Sequence, residues 1–166
     1  PLVDAGRVAL SGWSLGGYLA PRAASGEHRL AAVIADPGSW GIAAGFRAVV
    51  RRMFDLPPEA VRDLGTLDPA LLARAEAAIR ADREMNWKVV QRGFWVHGVE
   101  TLGAYLADVE RYTMEGRAER IPCPTLITQA EEDALAAGAG SLFAALRCPK
   151  TLLRFTAAEG AGDQRL

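Results

Sequence analysis

Gly12-Trp13-Ser14-Leu15-Gly16 sets a serine between two glycines in the spacing G-x-S-x-G, and Gly17 follows directly. A serine hydroxyl attacks a carbonyl only where it protrudes within reach of a base. A strand that turns sharply into a helix provides that exposure and strains the backbone at the serine. The flanking residues must then be nearly free of side chains. Gly12 and Gly16 supply that room, and Gly17 lets the following helix pack closely. The Leu15 N–H, at the start of the helix, points at a developing oxyanion. The chemistry expected of this segment is nucleophilic attack by Ser14 on a carbonyl carbon.

The surrounding sequence supplies the elements that such a turn needs. Residues 7–12 read as a short buried strand and residues 16–25 as a small-residue helix ended by Gly26. Residues 31–35 form a second apolar strand, stopped by Asp36-Pro37-Gly38. This is a βαβ unit with parallel strands. From about residue 40 to residue 120 the periodicity is helical. Asp68-Pro69 is an N-cap with proline at the first helical position, and Leu71, Leu72, Ala75 and Ile79 trace one apolar face. Val99, Leu102, Leu106 and Val109 trace another. Alternation then resumes, with strands at 125–128 and 151–155 and a helix at 140–146 between them. The order predicts an α/β fold: a parallel sheet with helices on both faces, and a helical cap insertion at about 40–120.

The chain has 166 residues, half of them hydrophobic and 23% charged, with a formal net charge of −1. That suits an ordinary globular domain and offers no basic face for nucleic acid. No apolar run is long enough to span a membrane, so no membrane partner is expected. Cys123 and Cys148 are too few for a disulfide framework and read as small buried thiols at strand entrances, as in a reducing cytoplasm. Two isolated histidines and two distant cysteines make no metal site, and Gly138-Ala139-Gly140 lacks the third glycine of a dinucleotide fingerprint. No cofactor is expected.

Three stretches together resemble one branch of the α/β-hydrolases, which includes 2,6-dihydroxypseudooxynicotine hydrolase and acyl-peptidase-like or esterase-like proteins. They are residues 12–18, residues 124–127 with the acidic loop Glu131-Glu132-Asp133, and Glu159-Gly160-Ala161-Gly162-Asp163. The resemblance implies a partial α/β-hydrolase fold, with this chain as the C-terminal part of one domain. It also implies a triad in the chain order Ser, Asp or Glu, His. Ser14 matches the nucleophile, Leu15 the oxyanion-donating backbone, and Asp133 the acid, with Glu132 next. The histidine is expected shortly after the last strand, where Gln164 stands instead. The second oxyanion N–H is expected from an early strand that would precede Pro1. His28 reads as solvated surface and His97 as a structural residue of the cap.

These residues imply a serine hydrolase that cleaves an ester, an amide or an activated C–C bond next to a carbonyl in a small-molecule substrate. The chain is expected to be inactive as it stands, for want of the histidine. The alternative, which rests on Gln164, is a catalytically dead homologue that binds a ligand or partner. If an earlier strand is missing, residues 7–12 form an apolar sheet edge, and strand-mediated homodimers or aggregates are expected.

Overall fold

Apolar runs of five or six residues, closed by Gly, Pro or Asp, become strands, while longer stretches with apolar spacings of three and four become helices. The computed structural model describes residues 4–161. Along the chain run β1 (Ala9–Trp13), α1 (Gly16–Ala24), β2 (Ala32–Asp36), α2 (Ala43–Phe54), α3 (Pro69–Ala81), α4 (Arg83–Met85), α5 (Phe94–His97), α6 (Leu102–Val109), β3 (Thr125–Ala130), α7 (Ala139–Ala145) and β4 (Lys150–Phe155). Two compact units result: Ile42–Tyr112 is one, and the chain on either side of it forms the other.

The flanking unit holds a four-stranded sheet in the order β1-β2-β3-β4, parallel throughout. Ser11 lies opposite Ile34, Ile34 opposite Leu126, and Leu126 opposite Thr151. Strand order fixes where the helices go. Right-handed crossovers that always step in the same direction place their helices on the same face. The side chains agree. A Cβ on Gly12 would lie 2.8 Å from Ala20 Cβ of α1, and Lys150 Nζ donates to the carbonyls of Phe143 and Leu146 at the end of α7. Val33, Ala35 and Ile127 are buried on this face with Ala139 and Leu142 of α7.

The opposite face carries Ala9, Ser11, Trp13, Leu153 and Phe155, all exposed, with Trp13 at 65%. Neither α1 nor α7 covers it. The expectation of helices on both faces is therefore corrected: a sheet that grows in one direction has its connecting helices on one side only.

The two ends of the inserted unit leave the sheet side by side. Gly41 and Thr113 form an antiparallel bridge, and Met114 N–H donates to the Trp40 carbonyl at 2.9 Å.

In the helical unit, the Asp68 carboxylate caps α3, accepting from the N–H groups of Ala70 (2.9 Å) and Leu71 (3.0 Å), with Pro69 at the first position. Ala75, Ile79, Leu102, Leu106 and Val109 are buried in one cluster, as their spacing predicts. Residues Asn86–Gly93 wind as a π-helix, and the Phe94 N–H reaches back to the Val89 carbonyl. The wide turn seats Gly93 against the Tyr105 ring, where a Cβ would come within 3.1 Å of Cε2.

Candidate active site

Ser14 follows the last residue of β1 and adopts φ +57°, in the left-handed region that few residues other than glycine enter. Such a conformation costs about 1–3 kcal/mol and persists only where its surroundings hold it. Here the Ser14 N–H donates to the Asp36 carbonyl (2.7 Å), extending the β1–β2 ladder by one rung. The Ser14 carbonyl accepts from the Gly17 N–H (2.9 Å) as α1 begins. The serine is pinned between strand and helix, and its side chain is exposed.

Two of the three glycines are sterically required. A Cβ on Gly12 would lie 1.9 Å from the Gly16 carbonyl oxygen, and one on Gly17 would lie 1.9 Å from the Pro37 carbonyl oxygen. Gly16 is different, since a Cβ there meets nothing within 4 Å. The reading that Gly16 makes room for the turn is corrected: the crowding comes from its carbonyl, not its Cα. Gly12→Ala and Gly17→Ala are each expected to cost about 3 kcal/mol by urea denaturation. Gly16→Ala should leave the chain unchanged or about 0.5 kcal/mol more stable. A large loss at Gly16 would contradict this.

Leu15 is helical (φ −55°, ψ −27°), and its N–H precedes the first intrahelical bond, as an oxyanion donor requires. Tyr18, one turn on, is buried, and its hydroxyl donates to the Thr113 carbonyl at 3.5 Å.

Asp133 lies in the loop after β3. It is only 6% exposed, and its carboxylate accepts from the Leu135 N–H at 2.8 Å, capping a short 3-10 helix over Ala134–Gly138. Glu132 is exposed. Glu131 ties the loop to the exit of β4. Its N–H donates to the Phe155 carbonyl (3.0 Å), and its carboxylate accepts from the Ala157 N–H (3.1 Å). Of the three acidic residues, Asp133 alone is both buried and held by a backbone donor.

Parallel strands end together, so Ser14 and Asp133 share one end of the sheet. The strands that lead to them, β1 and β3, are two interstrand spacings apart, about 10 Å. An imidazole placed between two side chains bridges such a gap. Asp36, at the end of β2, stands between them and was read from the sequence only as a strand stop. Trp13 lies opposite it in the ladder, and its carboxylate accepts from the Thr128 hydroxyl at 2.5 Å. A carboxylate at the end of the strand beside the nucleophile was the available signal.

His28 is not placed as the missing base. His28 is exposed in the loop that leads into β2, at the opposite end of the sheet. His97 belongs to the helical unit, where Nδ1 lies 2.6 Å from Asp108 Oδ2 and the ring meets Tyr105 edge-on at 4.9 Å. The expected position of the histidine, Gln164, lies outside the described residues. Among the described residues, no group of three or more His, Cys, Asp or Glu could hold a metal, and no helix is long and apolar enough to cross a membrane.

The His97 bond, with Arg111 adding to it, holds the Asp108 carboxyl below its ordinary range. A carboxyl lowered on folding contributes stability above its unfolded pKa and loses that contribution as pH falls through its folded value. In thermal melts, the advantage of the unaltered chain over Asp108→Asn should therefore shrink as pH falls below about 4. An advantage that grows on acidification would refute the assignment.

No family model matches the chain, and no curated protein does. Solved structures do. The chain resembles "2,6-dihydroxy-pseudo-oxynicotine hydrolase" at 20% identity and a TM-score of 0.58, over 97% of this chain and 35% of that one. It also resembles the "alpha/beta hydrolase GrgF" from Penicillium sp. sh18 at 17% identity and a TM-score of 0.51, over 94% of this chain and 57% of that one. The chain thus spans between a third and three-fifths of these structures. With four parallel strands, flanking helices and a strained serine at the end of β1, it carries a partial α/β-hydrolase fold.

Proposed function

We propose that this chain carries the nucleophile and the acid of a serine hydrolase that acts on an ester, an amide or an activated C–C bond next to a carbonyl. The backbone of Ser14 carries the reading. A non-glycine residue at φ +57° stands between two glycines, Gly12 and Gly17, that tolerate no Cβ, and such strain is concentrated at functional sites. Its effect is to expose a hydroxyl beside the start of a helix. Ser14 Oγ attacks the carbonyl carbon and the Leu15 N–H stabilises the oxyanion. A histidine from outside the described residues takes the proton, and Asp133 orients that histidine and stabilises its charged form. The substrate is a small molecule, and Ile42–Tyr112 is the proposed cap insertion. A cytoplasmic location is part of the same proposal.

Among the described residues no histidine is assigned as the base. The chain should hydrolyse p-nitrophenyl acetate no faster than its Ser14→Ala variant, because loss of a triad member removes several orders of magnitude. Turnover lost on Ser14→Ala would show that another group serves as base. That serine-dependent outcome would reject inactivity and leave the nucleophile in place.

A further inference from the structure

In the sequence, Cys123 and Cys148 are separate thiols, but the sheet brings them side by side. Thr125 lies opposite Lys150 in the β3–β4 ladder, and the Thr125 N–H donates to the Pro149 carbonyl at 2.9 Å, so the pairing runs on toward both cysteines. Each cysteine stands two residues before one of these partners. Each also precedes a proline, at a bend just before its strand begins. Neighbouring strands are about 4.8 Å apart. A disulfide needs Cα atoms about 4.4 to 6.8 Å apart.

The Thr125 hydroxyl links the two sites, donating to the Cys123 carbonyl (3.1 Å) and lying 3.6 Å from Cys148 Sγ. Cys123 is buried and Cys148 half-buried. Burial pushes the Cys123 thiol up, and the nearby charge of Cys148 adds to the effect.

We propose that Cys123 and Cys148 are a thiol–disulfide modification site, which takes a low-molecular-weight disulfide such as oxidised glutathione and closes into a bond across β3 and β4. The more accessible Cys148 gives up its proton and attacks one sulfur of the oxidant. One glutathione thiolate leaves and takes up a proton. Cys123 then gives up its proton and attacks the Cys148 sulfur of the mixed disulfide, releasing the second glutathione. Two protein thiols are oxidised, and one glutathione disulfide is reduced to two thiols. The bond staples edge strand β4 to β3 at the end of the sheet opposite Ser14 and Asp133, and it is independent of the proposed hydrolase chemistry.

The test is to treat the reduced 166-residue chain with oxidised glutathione and follow it by intact mass and non-reducing peptide mapping. The expected product has lost two hydrogens, retains no glutathione and joins the Cys123 and Cys148 peptides. Cys123→Ser should instead stop at a single glutathione adduct on Cys148. In concentrated urea, the ratio of closed product to adduct should fall roughly tenfold or more, because the fold supplies the effective concentration. This comparison uses the unaltered chain, so it stands even if the variant folds poorly. A stable adduct on Cys148 of the unaltered chain, interchain bonds instead of the internal one, or an equal ratio with and without urea would each overturn the proposal.

Discussion

Built into a complete α/β-hydrolase that supplies the remaining strands and a histidine, this segment should give turnover that Ser14→Ala abolishes and Asp133→Asn lowers about 10⁴-fold in kcat. The amide keeps the shape of the carboxylate but presents a donor where the imidazole needs an acceptor, so the ring loses both its tautomer and its counter-charge. Glu132→Gln should change kcat only a few-fold, because that side chain is exposed, whereas Asp133 is buried and fixed by the Leu135 N–H. Asp36→Asn is the informative third variant, because that carboxylate lies one strand nearer to Ser14. A greater loss at Asp36 than at Asp133 would move the acid to β2, and equal losses at Asp133 and Glu132 would leave neither assigned.

The isolated chain should self-associate. The Ser14 N–H donates to the Asp36 carbonyl, and alternate residues of a parallel strand point their backbone groups to opposite sides. The N–H and C=O groups of Ala9, Ser11 and Trp13 therefore face away from β2, along an edge with no strand beside it among the described residues. The adjoining sheet face is apolar and open, with Trp13 and Phe155 exposed and a groove lined by Ile34, Leu126 and Thr151. An open edge beside an apolar face is a template for another chain. Size-exclusion chromatography with light scattering should show dimers or larger species, and Ser11→Pro should reduce them by removing a donor from the edge. A monodisperse monomer that unfolds cooperatively would refute this.

Much of this architecture was legible in the sequence, because the signals were local. The strands fall within one or two residues of the apolar runs that predicted them, and Asp68-Pro69 caps α3 as its residue types require. The turn at Ser14 was readable because an apolar run precedes the G-x-S-x-G spacing and a small-residue helical stretch follows it. What escaped depends on partners distant in the chain. That Gly12 is indispensable and Gly16 is not depends on where the Gly16 carbonyl ends up. Asp133 was preferred to Glu132 from the sequence, but that Asp133 is buried and Glu132 exposed is not visible in three consecutive acidic residues. The π-helix over Asn86–Gly93 answers to the Tyr105 ring, and helical periodicity alone does not distinguish it from an α-helix. The single-sided placement of α1 and α7 follows from strand order, which no segment of the chain contains.

The bridged neck at Gly41 and Thr113 separates the length of the insertion from the integrity of the sheet. Pairing β2 with β3 means closing a long loop, and the entropic penalty of closure grows only with the logarithm of loop length, about 0.6 kcal/mol per doubling. Here the Gly41–Thr113 bridge and the Met114–Trp40 hydrogen bond hold the two ends together just outside the strands. To the sheet, everything from Ile42 to Tyr112 behaves as a single long hairpin loop, whatever its contents. Selection can therefore lengthen, shorten or replace that unit with little effect on the register that sets Ser14 and Asp133 apart. The sheet and the helical unit are thus free to diverge at different speeds within one polypeptide.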